Sequence, residues 1–419
     1  MHTASTLARV TALAVGIAGA LAFSHADAAA FQLKENSAKG LGRAFAGSAS
    51  AWDDASVIAT NPASMRLLDG RQFQADVSAI SFSAKMEEIY SARNAGPTGA
   101  GKGTPISGGN GGNAGMIAPV PAAYFHVPFG ENDNMHFGLS LTAPFGFKTE
   151  YDRDWVGRYH GTKTDLKAVD LGAAFSYDVN PYVSFGASVF VEHLTIELAN
   201  AVDFGAVAYS ASKGASAALG LVPGSADGYV IGGTFSPTEN TNIALSYRSK
   251  VEHKITGGKA RFEVPGKVDA ALGLTAKGLF VDSSGKATVT LPATATLSVT
   301  HKLNDRWMVM GDVTRTAWAP AFDKVTVDFA SNQPDNVLVF GYKDTTFASI
   351  GTEYKLSDTI TLRGGVAYDE TPTTYSHRDV RVPDVTRKWL SLGLTYAASD
   401  KMEYSVGYTH LFTKDPNIT

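Results

Sequence analysis

Leu390-Ser391-Leu392-Gly393-Leu394-Thr395-Tyr396, then Ala397-Ala398-Ser399-Asp400-Lys401, then Met402-Glu403-Tyr404-Ser405-Val406-Gly407-Tyr408-Thr409, is the stretch that decides the fold. Leu390, Leu392, Leu394 and Tyr396 fall on one face, with Ser391, Gly393 and Thr395 on the other. Met402, Tyr404, Val406 and Tyr408 repeat the pattern against Glu403, Ser405, Gly407 and Thr409. Period 2 means strands, because successive side chains point to opposite faces of a sheet. The short polar link at Ala398–Lys401 makes the two runs an antiparallel hairpin.

Working outward, the alternation recurs along the chain. Met135, Phe137, Leu139 and Leu141 alternate with His136, Gly138, Ser140 and Thr142. Val183, Phe185, Ala187, Val189 and Val191 alternate with Ser184, Gly186 and Ser188. About thirteen strands are expected, near 71–86, 116–128, 135–149, 165–179, 182–199, 228–236, 242–264, 286–303, 307–329, 341–356, 360–370, 386–397 and 401–413. The connections alternate in length. Short ones lie near 130–134, 178–181, 237–241, 303–306, 356–359 and 398–401, and long ones near 93–115, 150–164, 200–227, 265–285, 331–340 and 371–385. That asymmetry belongs to outer-membrane barrels, with tight periplasmic turns and larger external loops. Lipid on one side of the wall and water on the other account for the alternation, and closure removes edges that lipid cannot satisfy. The expected fold class is all-β, a transmembrane antiparallel β-barrel. Single-chain bacterial barrels have even strand numbers. Fourteen strands are therefore expected, with the last lying beyond Thr419.

Composition agrees. Charged residues are 18% of the 419, below the roughly 25% of soluble domains. The net charge of −4 gives no reason to expect nucleic acid as a partner. Absence of cysteine excludes disulfides, thiolate metal sites and a cysteine nucleophile. Arg9, the apolar run Val10–Phe23 and Ala26-Asp27-Ala28 read as a secretory signal peptide over residues 1–28. No later segment has the roughly 18 consecutive apolar residues that a spanning helix needs. The expected domains are the signal peptide, an N-terminal plug over 29–70 and the barrel over 71–419. The expected location is the outer membrane of a Gram-negative bacterium.

Residues 31–70 do not alternate. They hold Phe31-Gln32-Leu33, Gly40-Leu41-Gly42-Arg43-Ala44, Asp53-Asp54-Ala55 and Asn61-Pro62-Ala63. In that order they resemble the N-terminal hatch of the FadL-type outer-membrane transporters of long-chain fatty acids, a family with relatives that take up aromatic hydrocarbons. The likeness continues at Gly341-Tyr342-Lys343-Asp344, Val366-Ala367-Tyr368-Asp369 and Arg381-Val382-Pro383-Asp384, the last leading into Trp389-Leu390-Ser391. The resemblance covers about residues 29–413 and implies a barrel plugged by the hatch. It implies passive uptake of a long-chain fatty acid or another apolar molecule, by a monomer in contact with outer-membrane lipid. Phe31 and Ile196 match apolar pocket positions. Leu198 stands where well-known members carry a basic residue, and Lys343 matches the other cationic contact. The kink of the third strand is expected at Pro144-Phe145-Gly146, since proline removes a ladder donor and glycine loosens pairing. In the family that kink opens a lateral exit.

Two long connections are unusually apolar. One holds Phe204 and Leu219, the other Leu272, Leu279 and Phe280. They are expected either to capture apolar ligand or to pack as lids, because sizeable exposed apolar patches mark binding sites. Asp53 and Asp54 are expected to pair with Arg43. Gly96–Thr104 resembles a nucleotide-phosphate loop, but Pro105 and the glycines after it forbid the helix such a loop needs, so it reads as an external loop. No catalytic residue, metal set or cofactor is expected. The alternatives are a hydrocarbon channel on the same fold, a general porin or adhesin, and an outer-membrane lipase. A lipase would need a serine–histidine pair for which no G-x-S-x-G signal exists.

Overall fold

A computed structural model describes residues 31–87, 89–92, 103–203, 216–415 and 417–418, and for 216–223 the backbone. The expected signal peptide and the Gly96–Lys102 part of the glycine-rich loop lie outside those residues. The strands are β1 (Gln72–Ser81), β2 (Ile117–Phe129), β3 (Met135–Glu150), β4 (Lys163–Asn180), β5 (Val183–Ala201) and β6 (Ser216–Thr238). Then follow β7 (Thr241–Arg248) with β8 (Val251–Glu263), β9 (Ser283–Leu291) with β10 (Thr294–Lys302), and β11 (Trp307–Thr316) with β12 (Lys324–Phe329). The last are β13 (Asn336–Val339) with β14 (Thr345–Lys355), β15 (Ile360–Asp369), β16 (Arg387–Ser399) and β17 (Met402–Phe412).

Every ladder is antiparallel between passes adjacent in sequence. β7 and β8 both pair with β6 and then with β10 and β9 respectively, so each such couple is one interrupted pass. Pro292 and the segment 317–323 mark two of the interruptions. Among the described residues seventeen segments thus make thirteen passes, the number that the alternation predicts. Among the described residues no ladder joins β17 to β1.

The wall is inside out relative to a soluble protein. Leu392 and Val406 are 56% and 61% exposed, while Ser391 between the leucines is 0%. Phe137, Leu139, Val189 and Leu245 also face outward, against inward His136, Ser140, Ser188 and Ser246. Water would penalise such an outer face; hydrocarbon does not. Tyr177, Tyr182, Trp307, Tyr396 and Tyr404 stand outward beside the short turns, as an interfacial aromatic belt does.

Residues 31–68 fill the lumen. Ser37 caps the short helix Ala38–Gly42 through the Gly40 N–H at 3.0 Å. A second helix, Val57–Thr60, runs into a 3-10 turn, Pro62–Leu67, and Pro62 takes a first-turn position where its missing N–H costs nothing. Wall glycines admit this plug. A Cβ at Gly186 would overlap Pro62 and Ala63, and one at Gly365 would overlap the Arg43 backbone. Asn61 donates to Ala49 O at 3.1 Å and to Thr234 of β6 at 3.2 Å.

A charge network ties the plug to the opposite wall. Arg43 pairs with Asp53 at 3.3 Å, Asp54 at 3.1 Å and Glu353 of β14. Arg363 of β15 reaches Asp53 at 2.8 Å and Glu353 at 2.9 Å. Lys39 pairs with Glu403 of β17. Burial raises the Asp54 carboxyl, but Arg43 and Lys39 overcome it and hold the group below its ordinary range.

Candidate ligand cavity

The site begins where β3 leaves β2. Their ladder runs from Phe129↔Met135 to Ala123↔Leu141 and stops there. On its other edge β3 stays with β4 but shifts register between Thr142 and Phe145. Ala143 and Pro144 form the bulge, since Pro144 has no N–H to give. The edge that β2 leaves does not stay bare. Leu33 N–H donates to Pro144 O at 2.8 Å, Gly146 N–H donates to Phe31 O at 2.8 Å, and Gln32 bridges Phe145. The N-terminal segment 31–33 is thus a short strand on the kinked half of β3.

That pairing carries Phe31 into an aromatic nest, where it is 2% exposed. Its ring stands 4.8 Å from Trp318, 4.7 Å from Phe322 and 6.2 Å from Phe145. Phe31 is also one wall of an apolar cavity. The rest of the lining comes from Phe147 of β3, Thr164 and Leu166 of β4, Ile196 and Leu198 of β5, and Val289 of β9. Val325 and Val327 of β12, with Phe322, Leu338, Phe340 and Val382 from the adjoining segments, complete it. Among the described residues no lining side chain is charged.

The structure therefore brings Phe31, Ile196 and Leu198 together, with Pro144, Phe145 and Gly146 behind Phe31. Lys343, expected at the ligand, does not line the cavity. Its ammonium pairs with Glu370 at 2.6 Å and stands half exposed. The bond from Lys343 holds the Glu370 carboxyl below its usual range. The carboxylate neighbour lies one loop away in sequence, which local spacing does not reveal. Arg43, Asp53, Asp54, Asn61, Pro62 and Ala63 all lie in the plug, away from the cavity.

One of the two apolar connections differs from the expectation. Leu219 is not in a loop. β6 begins at Ser216, and Leu219 pairs in register with Leu198. Residues 217–222 are apolar on both faces, so alternation is invisible there. Phe204 lies outside the described residues. Leu272, Leu279 and Phe280 pack around Val268 and Leu274 in a small core of their own. The Phe280 ring stands 5.7 Å from Phe262, which stands 5.5 Å from Phe329, and both rings pack against the cavity's apolar cluster. β13 arises inside the expected 331–340 connection, too short to be read from four residues.

The remaining lining residues were missed, although a signal exists. In the lower half of β5 the outward residues are Phe185, Ala187, Val189 and Val191, and Ser184, Ser188 and Glu192 are buried. Above Glu192 the phase inverts: His193, Thr195 and Glu197 turn outward, and Leu194, Ile196 and Leu198 inward. β4 does the same, with Asp165 and Lys167 outward against Leu166 and Ala168. Its 18 residues exceed the roughly 9–11 that span a membrane. The inversion marks where the wall leaves lipid for water and begins to line an apolar interior.

An apolar-faced antiparallel wall, a polar lumen and an N-terminal plug define a hatch-plugged outer-membrane β-barrel. The chain belongs to the outer membrane protein transport family (OMPP1/FadL/TodX), whose model matches residues 19–419. It is 30% identical to outer membrane protein P1 of Haemophilus influenzae, over 93% of this chain and 87% of that one. It is 28% identical to a long-chain fatty acid transport protein of Escherichia coli, over 99% and 93%. The crystal structure of a Pseudomonas aeruginosa FadL homologue superposes with a TM-score of 0.76 at 27% identity, covering 92% of each chain. The Ralstonia pickettii toluene transporter TbuX shares the fold, with a TM-score of 0.59 at 20% identity, covering 85% and 88%. The chain is an outer-membrane transport protein of the Gram-negative type, and not an enzyme.

Proposed function

We propose that this protein takes up long-chain fatty acids passively. The acyl chain enters from the outer loops, fills the apolar cavity, displaces the N-terminal segment and leaves sideways where β2 and β3 part. One observation carries the reading: Phe31 is both a cavity wall and part of the strand that covers the kinked edge of β3. Ligand that pushes Phe31 aside thereby frees that edge. Each buried CH₂ contributes about 0.8 kcal/mol, which favours long chains. The Leu272, Leu279 and Phe280 core acts as the capture lid, residues 1–28 as the export signal and 29–70 as the hatch of a monomer. A cargo that partitions into membrane gains from lateral release, which spares it the periplasm.

A hydrocarbon cargo is the second reading, favoured by the uncharged lining and by Leu198. Displacement of labelled oleate from purified protein by toluene decides between them. Saturable oleate binding that resists toluene supports the fatty acid reading. Saturable toluene binding without oleate binding moves the protein to the hydrocarbon branch.

A further inference from the structure

Resting on the fatty acid reading, we infer that Arg381 holds the ligand's carboxylate at the rim of the cavity. Arg381 belongs to the connection between β15 and β16, far in sequence from β5. Its backbone is fixed against the top of β3: Thr149 Oγ1 donates to Arg381 O at 3.1 Å, and Tyr151 Oη to Val380 O at 2.9 Å. Val382, its neighbour, lines the cavity. The side chain is 3% exposed. A Cβ on Gly161 would lie 3.0 Å from its Cγ and 3.6 Å from its Nη1, so the bare backbone there makes room for it. Nη2 donates to Asn200 Oδ1 at 3.2 Å. Asn200 follows Ile196 and Leu198 on the same inward row of β5, so the guanidinium stands one step beyond Leu198.

Nε and Nη1 have no hydrogen-bond partner among the described residues. Asp379, whose field reaches the group, accepts instead from the Arg381 backbone N–H at 3.3 Å. The hydroxyl of Thr164, in the cavity wall opposite Leu198, also lacks a partner. A buried cation with two open donors is costly unless an anion completes it, and a carboxylate fits a guanidinium fork with two parallel bonds. A hydrocarbon would leave those donors open, and an acid would fill them.

The test compares oleate with oleyl alcohol, which has the same chain and no charge, on the full-length detergent-folded protein. The variants are Arg381→Gln, Arg381→Lys and Ile196→Asp, each checked for heat-modifiable migration. Arg381→Gln is expected to weaken oleate about tenfold or more and to leave oleyl alcohol unchanged. Arg381→Lys should restore part of the preference for the acid, whereas Ile196→Asp should weaken both ligands. Oleate binding indifferent to Arg381→Gln, or equal loss of both ligands, overturns the assignment while the cavity stands. Failure of wild-type protein to bind either ligand overturns the fatty acid reading itself.

Discussion

Arg43 shows how one residue couples plug to wall. Its guanidinium serves Asp53, Asp54 and Glu353 together, so its removal takes the paired cation from buried Asp54 and leaves Asp53 and Glu353 to Arg363. Arg43→Met is expected to cost about 3–5 kcal/mol, read as an earlier urea midpoint and faster trypsin cleavage of the plug. An unchanged midpoint would mean the network is solvated. The folded Asp54 carboxyl titrates below its ordinary value. Its contribution is therefore complete above about pH 4 and is lost as pH falls through the folded value. Plug protection from protease should weaken in that acid range and not at alkaline pH. Lys343→Ala is expected to leave oleate affinity within about twofold, because an exposed pair contributes little and the cavity lies elsewhere. The pairing of Arg43 with Asp53 and Asp54 was legible from short separations in sequence. The partner of Lys343 and the burial of Arg381 were not, since both depend on contacts between distant loops.

At the scale of elements, β3 and β5 carry the site. The kink at Pro144 was legible because proline has one physical consequence in a ladder. That Phe31–Leu33 would complete the kinked edge was not, because three residues carry no periodicity. Fusing residues 1–28 directly to Ser37 removes that short strand and leaves the charge network. Far-ultraviolet circular dichroism should then stay unchanged while oleate uptake falls. Full uptake by this deletion would show that the segment 31–33 is no gate. β5 holds the other lesson. Ile196 and Leu198 were found by resemblance, yet the phase inversion at Glu192 marks them from the sequence alone. A single alternating pattern assigned to the whole strand hides it.

The whole molecule is a wall too long for the membrane, filled below by a plug and above by an apolar cavity. The alternation revealed the barrel and the number of passes, because lipid imposes one rule on every strand. It did not reveal the interrupted passes, whose segments β9 and β12 line the cavity, since interruptions follow from what lies inside. A plug packed against glycines of β5 and β15 leaves little aqueous path, so single-channel conductance in planar bilayers should be small beside an open porin's. Large steady currents would favour a general pore. Passage of apolar cargo through the cavity is measured by labelled oleate uptake into intact cells that produce the protein or its Ile196→Asp variant. Saturable uptake above that of cells without the protein is expected, with its loss in the variant at equal surface abundance. Uptake no greater than in cells without the protein, or equal in the two, would contradict it.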